Sequence, residues 1–223
     1  MFSEIAPRYD FLNRFLSFGI DRRWRRRLLR ELDPQPGEAV LDLCCGTGDL
    51  ALAFQARGCA VTGADFTLPM LVGAQGKPGA GEVAWVQADA QDLPFADATF
   101  AHLTIAFGIR NVEDPPRALR DCARVLIPGG RLAVLEFHRI PNSVWRGMFR
   151  FYFHRVLPLL AKVVRAGRTG AYTYLPESVD EFATPAVFRG WLEDSGFVVD
   201  KEVGLSGGVA RLFLATRAGE AGP

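Results

Sequence analysis

Residues 39–51 read AVLDLCCGTGDLA, a short apolar run that enters a glycine-rich turn and continues into a helix-forming segment. Gly46 and Gly48 allow a tight turn and let a ligand approach the backbone closely, while helix N–H groups lie exposed beyond the turn. A strand, a turn of this kind and a helix in succession are typical of α/β folds that bind nucleotides or nucleosides. The stretch therefore predicts both the fold class and the place where a cofactor binds.

Short apolar runs alternate with helix-forming segments along most of the chain, which indicates a parallel sheet covered by helices on both faces. Residues 196–217 instead hold two strands joined by a Gly-rich connection, and we expect them to pair antiparallel and close the sheet edge. The predicted fold is an α/β, Rossmann-like, doubly wound, mostly parallel seven-stranded sheet with an antiparallel edge strand. The other strands are predicted at 39–44, 60–65, 83–88, 100–106 and 131–137, and helices at 48–57, from 67, at 115–126 and at 185–195.

Composition and charge indicate an ordinary globular protein and argue against several classes. The chain has 223 residues with 26 Lys and Arg against 25 Asp and Glu, whereas a nucleic-acid-binding protein needs a clear basic excess to neutralise phosphates. The four cysteines form no CxxC pair and the three histidines are far apart, so we predict no metal, no disulfide framework and a cytoplasmic location. We find no uncharged apolar run of about 18 residues and no apolar core in the N-terminal MFSEIAPRYD, so we expect neither a membrane span nor a signal peptide.

Two segments fall outside the alternating pattern. Residues 1–32 precede the first strand and residues 138–184 follow the fifth, and both are rich in Arg and aromatic residues. In a doubly wound sheet, ligands bind outside the carboxyl ends of the strands, and connecting segments at that edge carry function. We therefore expect a single domain over residues 1–223, with an N-terminal helical lid at 1–32 and a helical substrate lid at 138–184.

Carboxylates near the glycine turn bear on the identity of the cofactor. Asp65 ends the second strand, where a carboxylate accepts hydrogen bonds from ribose hydroxyls. Asp42 precedes the turn and Asp49 begins the helix, and two such charges would repel a pyrophosphate but suit ammonium and sulfonium cations. The pattern favours S-adenosylmethionine over NAD. A nicotinamide-dependent oxidoreductase stays open on the glycine pattern alone, although no Ser/Tyr/Lys arrangement for hydride transfer is visible.

Longer stretches resemble known families. Three stretches resemble class I S-adenosylmethionine-dependent methyltransferases. They are VLDLCCGTGDLA (40–51), ADAQDLPFADATFAHLTIAFGIRNVED (88–114) and LIPGGRLAVLEF (126–137). Four stretches resemble, more narrowly, the ubiquinone/menaquinone biosynthesis C-methyltransferase family. They are FSEIAPRYDFLNRFLSFGIDRRWRR (2–26), FGIRN (107–111), YTYLPESVDEF (172–182) and LSGGVARLFLATR (205–217). The resemblance covers nearly the whole chain and is strongest to family members that act on demethylmenaquinone. FGIRN and YLPES are its specific parts, because the glycine turn alone indicates only the superfamily.

This resemblance implies S-adenosylmethionine-dependent C-methylation of demethylmenaquinol to menaquinol, with a ubiquinone precursor or another lipid acceptor as the alternative. It puts the methionine part of the cofactor at Thr47 and its glycines, the ribose at Asp65 and the adenine at Asp89 and Ala90. The predicted cofactor-binding residues are thus Asp42, Gly46, Thr47, Gly48, Asp65, Asp89 and Ala90.

The resemblance also implies a catalytic group of Tyr9, Arg110 and Asn111. A ring carbon attacks a methyl group only when the quinol has become phenolate-like. Arg110 would stabilise this phenolate, Asn111 would orient it, and Tyr9 would donate a hydrogen bond to it or relay a proton. Ordinary structural roles stay open, namely helix capping for Arg110 and Asn111 and simple packing for Tyr9. We expect His102 to be a core histidine and Glu136 to be a supporting carboxylate rather than the base.

The partners expected are a lipid quinol and, peripherally, a membrane surface. A helix over residues 20–32 has an apolar stripe at four-residue spacing, formed by Ile20, Trp24, Leu28 and Leu32. Arg22, Arg26 and Arg30 face away from this stripe. Such a helix either lies on an anionic membrane at the inner face of the cell membrane or packs against the domain with a solvated basic face. Residues 144–165 mix aromatic residues with Arg, which suits a lid for an isoprenoid tail or a homodimer contact.

Overall fold

A computed structural model describes residues 19–138 and 178–219 of the chain. The strands are β1 (Ala39–Leu43), β2 (Ala60–Asp65), β3 (Ala84–Gln87), β4 (Phe100–Ala106), β5 (Leu126–Phe137), β6 (Phe197–Leu205) and β7 (Ala210–Arg217). The α-helices that lie wholly in this part of the chain are α1 (Ile20–Leu32), α2 (Asp49–Gln55), α3 (Leu68–Gln75), α4 (Pro115–Val125) and α5 (Pro185–Asp194), and residues 178–181 are also helical. The strands form one sheet in the order β3-β2-β1-β4-β5-β7-β6.

Strand pairing confirms the predicted sheet. β1 pairs in parallel with β2 on one side and with β4 on the other, and parallel pairing continues from β2 to β3 and from β4 to β5. β7 pairs antiparallel with both β5 and β6. The last two strands therefore close one side of the sheet as an antiparallel pair, with β6 outermost and β7 inserted between β5 and β6.

The fifth strand starts earlier than its sequence predicts. β5 begins at Leu126, because Leu126 pairs with Phe100 before the register shifts and the ladder resumes where Arg131 pairs with His102. The intervening Pro-Gly-Gly sequence has the composition of a turn. It instead forms an irregularity inside a continuous strand, so the predicted start at Arg131 was wrong.

Helix α1 is part of the domain core. Trp24, Leu28 and Leu32 are buried together with side chains of α2, β5 and β7, whereas Ile20 at the helix start is 36% exposed. Full burial of a Leu side chain stabilises a fold by about 1.5–3 kcal/mol. The predicted apolar stripe thus attaches α1 to the sheet. A second core lies on the other face, where side chains of α4 and α5 pack against the sheet.

His102 is a core histidine, as predicted. Its side chain is buried in β4, and its Nε2 atom lies 2.8 Å from Oε2 of Glu38. Its partner Glu38 is partly exposed, and the Nδ1 atom of His102 is buried without a hydrogen-bond partner in the described part of the chain. Burial in β4 and the contact with Glu38 give His102 a structural role.

The sheet order determines where a ligand can bind. The connection from β1 leads to β2 on one side, whereas β4 lies on the opposite side of β1. In α/β sheets a crevice opens outside the carboxyl ends of the strands at such a reversal. Within the described residues, no helix is both long enough and apolar enough to cross a membrane.

Candidate active site

A cavity of about 370 Å³ opens at this reversal, at the carboxyl edge of the sheet. Its size suits a nucleoside-sized ligand. The loops after the first four strands all contribute to its wall. The lining residues are Leu43, Cys44 and Gly46 at the end of β1 and beyond it, Asp65, Phe66, Thr67 and Met70 at the end of β2 and beyond it, residues 88–91 after β3, and residues 106–108 and 111–113 at the end of β4 and beyond it.

The glycine turn has the backbone geometry that its sequence predicts. Gly46 and Gly48 have φ angles of 56° and 76°, in the left-handed region that favours glycine. A Cβ atom at Gly48 would lie 2.4 Å from the ring of Trp85. Because the Trp85 indole is itself held by a hydrogen bond from Nε1 to the carbonyl of Ala80 at 3.0 Å, only glycine fits at position 48.

Asp65 links the glycine turn to the end of β2. Its Oδ2 atom accepts a hydrogen bond from the backbone N–H of Gly46, and its Oδ1 atom accepts one from Thr67, both at 2.8 Å. Burial raises the pKa of Asp65, while these donors oppose the shift. The carboxylate lines the cavity with lone pairs left over. It therefore holds the loop and can still accept hydrogen bonds from a ligand.

The loop after β3 presents a second carboxylate. Asp89 accepts hydrogen bonds at Oδ1 from the backbone N–H of Gln91 at 2.9 Å and from its side-chain Nε2 at 3.1 Å. Gln91 in turn accepts from the backbone N–H of Asp114 at 3.0 Å. Asp89, Ala90 and Gln91 all line the cavity. Gln91 was missed from the sequence, although its position directly after Asp89 and Ala90 was a usable signal.

Asp42, Thr47 and Gly48 do not line the cavity. Asp42 is buried under the turn, where Thr104 Oγ1 donates to its Oδ1 at 2.8 Å and its Oδ2 has no hydrogen-bond partner. Burial raises the pKa of Asp42 to about 7. Asp49 forms a 2.6 Å ion pair with Lys77. The prediction that both carboxylates present free negative charge beside the turn was therefore wrong, since one is buried and the other is paired.

Arg110 lies beside the cavity in a short 3-10 helix, Ile109–Asn111. Its Nη1 atom donates to Oε1 of Glu136 at 2.6 Å and to the carbonyl of Phe107 at 2.9 Å, and Nε donates to Oγ of Ser178 at 3.3 Å. The Glu136 side chain is fully buried and that of Arg110 is 7% exposed. Burial raises the pKa of Glu136, and the adjacent guanidinium opposes that shift. Glu136 is thus a supporting carboxylate that fixes the arginine.

Asn111 reaches the cavity wall, and it is not the cap of the following helix. Its Nδ2 atom lies 3.5 Å from the carbonyl of Phe107. The cap of α4 is Asp114, whose side chain accepts from the backbone N–H of Arg117 at 2.9 Å. The capping alternative for Arg110 and Asn111 was therefore wrong.

Five predicted site residues meet around this cavity, and they are Gly46, Asp65, Asp89, Ala90 and Asn111. Tyr9 lies outside the described residues, as does the aromatic and basic segment 144–165. Sequence reasoning also missed the apolar wall formed by Phe66, Met70 and Phe107. Within residues 19–138 and 178–219, no group of three or more His, Cys, Asp and Glu side chains could hold a metal ion.

Comparison with known proteins gives a consistent family match. Residues 1–217 match the family described as the ubiE/COQ5 methyltransferase family. A demethylmenaquinone methyltransferase of Thermus thermophilus is 49% identical over 97% of this chain and 100% of its own length. A ubiquinone/menaquinone biosynthesis C-methyltransferase UbiE of Syntrophotalea carbinolica is 43% identical over 97% of this chain and 92% of its own length. A demethylmenaquinone methyltransferase of Deinococcus radiodurans is 43% identical over 88% and 83%.

Solved structures support the fold at much lower identity. A SAM-dependent methyltransferase from Aquifex aeolicus has a TM-score of 0.64 at 19% identity, over 87% of this chain and 89% of that one. The cyclase SpnF has a TM-score of 0.67 at 17% identity, over 89% and 80%. Because one fold serves both proteins, these likenesses establish the class I methyltransferase fold and leave the reaction to the site residues.

Proposed function

The chain belongs to the ubiE/COQ5 methyltransferase family, and on that premise we propose that it transfers a methyl group from S-adenosylmethionine to a ring carbon of demethylmenaquinol, giving menaquinol. The names of relatives 49% and 43% identical to this chain support this acceptor. Other relatives carry names that join ubiquinone with menaquinone, so a ubiquinone precursor is the second candidate acceptor.

The charge of the cavity is the structural observation that carries the choice of cofactor. Asp65, Asp89 and Glu113 contribute carboxylates to its wall, and among residues 19–138 and 178–219 no Lys or Arg side chain lines it. A pyrophosphate would meet only like charge there, whereas a ligand with ammonium and sulfonium cations meets opposite charge. This argument replaces the one from Asp42 and Asp49, and it favours S-adenosylmethionine over a nicotinamide dinucleotide.

Each wall of the cavity suits one part of that cofactor. Asp65, already aligned by two backbone N–H groups, would accept hydrogen bonds from the ribose hydroxyls. Asp89 would accept from the adenine amino group, with Ala90 beside it. Asp42 does not line the cavity and would support the methionine end only indirectly, from beneath the turn.

S-adenosylmethionine supplies an activated methyl group: its methyl–sulfur bond breaks as the new carbon–carbon bond forms, and the ring loses a proton. Three tasks then remain for the protein, namely alignment, water exclusion and stabilisation of the phenolate-like ring. Alignment of two reactants can supply about 7–11 kcal/mol in ideal cases. Because an arginine stays protonated, Arg110 would stabilise the phenolate, and a bound water would carry the ring proton away.

The contacts of Arg110 are compatible with this role. Glu136, Phe107 and Ser178 use its Nη1 and Nε atoms, and within residues 19–138 and 178–219 no hydrogen bond of its Nη2 atom is found. One N–H face would thus be left for the acceptor oxygen. Asn111 would orient the same ring from the cavity wall, and Tyr9 is proposed as a further hydrogen-bond donor.

A peripheral membrane contact through α1 would bring the enzyme to its lipid acceptor. Arg22, Arg23, Arg26 and Arg30 are exposed on the helix face opposite the buried stripe, and no acidic partner pairs with them within the described residues. A basic residue near an anionic surface contributes about 1 kcal/mol of attraction. The enzyme would work at the inner face of the cell membrane. Residues 144–165 would serve as the lid for the isoprenoid tail, with a homodimer contact as the alternative.

Sedimentation with lipid vesicles tests the membrane contact. We expect binding to vesicles that contain phosphatidylglycerol, weak binding to phosphatidylcholine alone, and a large loss for the triple variant Arg22→Gln, Arg26→Gln, Arg30→Gln. Arg120→Gln, an exposed arginine on α4, is the matched control. Equal binding to both vesicle types would remove the electrostatic contact.

Transfer of a labelled methyl group tests the reaction itself. S-adenosylmethionine with a labelled methyl is incubated with chemically reduced demethylmenaquinone, with the oxidised quinone and with a reduced ubiquinone precursor. We expect label in the reduced naphthoquinone alone. Label in the ubiquinone precursor would favour the second acceptor, and no label in any acceptor despite cofactor binding would refute both.

A further inference from the structure

Phe107 has a backbone conformation that bulky residues rarely adopt. Its φ angle is 64°, in the left-handed region where a large side chain is a genuine outlier. Such strain persists only where the surroundings enforce it. The N–H of Phe107 donates to the carbonyl of Leu135 at 2.8 Å, and Arg110 donates to the Phe107 carbonyl at 2.9 Å. Hydrogen bonds therefore hold both the N–H and the carbonyl of the strained residue.

The conformation places the Phe107 ring in two environments at once. The residue lines the cofactor cavity, and its ring centroid lies 4.7 Å from that of Phe137 at the end of β5. The Trp24 ring of α1 lies 5.9 Å from both of them. Trp24 is buried, whereas Phe107 and Phe137 are half-buried. The two phenylalanine rings thus form an aromatic surface that is continuous with the cavity and still partly open.

A guanidinium group lies near each ring of this surface. The Cζ atom of Arg110 lies 5.5 Å from the Phe137 centroid, and that of Arg25 lies 5.9 Å from the Phe107 centroid. The charge of Arg110 is matched by Glu136 and that of Arg25 by Asp21, each at 2.6 Å. The surface therefore combines aromatic rings with two anchored cations next to the cavity that is proposed to hold the cofactor.

We propose that Phe107 and Phe137 form the surface against which the fused aromatic ring of the acceptor packs, with Phe107 as the shared wall between acceptor and cofactor. The inference rests on the proposed function and names the recognition site of its acceptor. A quinol ring is electron-rich, so its face attracts the positive edges of phenylalanine rings. When the ring becomes phenolate-like, the two guanidinium groups complement its charge. An aliphatic chain or a sugar would use neither property.

Binding of 1-naphthol, a redox-stable phenol with a fused ring, tests this surface without any methyl transfer. The titration is done by calorimetry on protein saturated with S-adenosylhomocysteine. We expect Phe137→Leu to raise the Kd of 1-naphthol roughly three- to tenfold, because an aromatic pair adds to simple burial. The Kd of S-adenosylhomocysteine stays within about twofold, since Phe137 does not line the cofactor cavity. Phe107→Leu, at the shared wall, weakens both ligands.

Two controls separate recognition from general packing. Phe137→Tyr keeps the ring and restores 1-naphthol binding. Phe95→Leu removes one ring of another pair, whose centroids lie 5.1 Å apart near the start of β4, and leaves both affinities unchanged. Equal 1-naphthol affinity in Phe137→Leu and the wild type would overturn the proposal, and so would the absence of saturable binding to the wild type.

A second measurement holds even if Phe137→Leu does not fold. Trp24 lies next to both rings, so 2,3-dimethyl-1,4-naphthoquinone bound there should quench its fluorescence. Trp24→Phe should remove most of the saturable quenching, and quenching that survives this change would contradict the site. Neither experiment requires turnover. Failure to methylate demethylmenaquinol therefore refutes the proposed function, whereas unaltered naphthol binding and Trp24-independent quenching refute this surface.

Discussion

The two ends of the site are built by different physical means. The cofactor end, meaning the glycine turn with the ends of β2 and β3, depends on backbone geometry, since Asp65 holds the turn through the N–H groups of Gly46 and Thr67. The acceptor end, meaning the loop after β4 with the end of β5, depends on a buried ion pair between Arg110 and Glu136 and on the strained Phe107. The first arrangement holds a carboxylate through backbone N–H groups, and the second holds a guanidinium through a buried counter-charge.

This difference matters because the two arrangements have different costs. Hydrogen bonds from backbone N–H groups to a carboxylate use groups that would otherwise need partners. A buried ion pair must offset the desolvation of both charges, and hydrophobic replacements are often as stable. If Arg110 acts on the acceptor as proposed, that chemistry accounts for the Arg110–Glu136 pair better than folding stability does. The cofactor end should respond to mutation through affinity and the acceptor end through rate.

The largest effect is expected at Glu136. Glu136→Gln leaves the Arg110 guanidinium buried without its counter-charge, and breaking a buried pair in this way costs about 3–5 kcal/mol. Urea unfolding should show that loss in the free energy of unfolding. Asp97→Asn is the control, because Asp97 pairs with Arg124 at a side-chain exposure of 76% and should change stability by less than about 1 kcal/mol.

A double-mutant cycle sharpens this prediction. If Glu136 acts through Arg110, Glu136→Gln should have little further effect on stability or on methyl transfer in an Arg110→Ala background. Additive losses in the double variant would mean that the two residues act independently, and the pair would then have no common role.

A smaller effect is expected at the cofactor end. Asp65→Asn removes a charged acceptor next to the ribose position and should weaken S-adenosylhomocysteine binding by about 1.5–3 kcal/mol. Calorimetry measures the change directly. Asp92→Asn is the matched control, since Asp92 is exposed nearby and does not line the cavity. Unchanged affinity in Asp65→Asn would contradict the ribose assignment.

The contact between the two ends can be broken at Gly108. A Cβ atom there would lie 2.2 Å from Cβ of Cys44, so Gly108→Ala should cost about 1–3 kcal/mol of unfolding free energy. Cys44 has a φ angle of 55°, and Cys44→Gly removes both that strain and the clash. The double variant should therefore be more stable than Gly108→Ala alone. Gly190→Ala, where a Cβ atom would meet open space, is the control.

The smallest effect is a pH dependence from His138, which directly follows β5. Burial lowers the pKa of His138 to about 4. Below pH 6.5 or so an unfolded histidine gains a proton that the folded state does not take up, so stability falls with pH until about pH 4. Between about pH 7.5 and about pH 5.5, the wild type should lose about 1.3 kcal/mol relative to His138→Phe. Parallel pH curves for the two proteins would exclude this role of burial.

Sequence predicted the backbone geometry of the glycine turn and the place of Asp65 at the cavity, because the determinants of both are local. The glycine turn lies within residues 39–51, and Asp65 ends the next strand of a regular alternating pattern. Charge was harder to interpret. The burial of Asp42 and the pairing of Asp49 with Lys77 depend on tertiary neighbours. Counting the carboxylates around the turn therefore gave a wrong argument for S-adenosylmethionine. The carboxylates of the cavity wall support the same cofactor independently.

The acceptor end could be predicted only as a list of residues. Arg110 and Glu136 belong to different motifs, and their contact requires that β4 and β5 be neighbours in parallel register. The left-handed backbone of Phe107 has no sequence signal, because a phenylalanine is among the last residues expected there. The residues that resembled a family were thus found, whereas their partners came only from the fold.

The separation of binding from chemistry is tested most directly by measuring two quantities in Asp65→Asn and Arg110→Ala side by side. These are the Kd of S-adenosylhomocysteine and the single-turnover rate of methyl transfer to reduced demethylmenaquinone at saturating cofactor. Asp65→Asn should lose affinity and keep most of the rate, while Arg110→Ala should keep the affinity and lose the rate. If affinity and rate fall together in both variants, the two ends do not have separate roles.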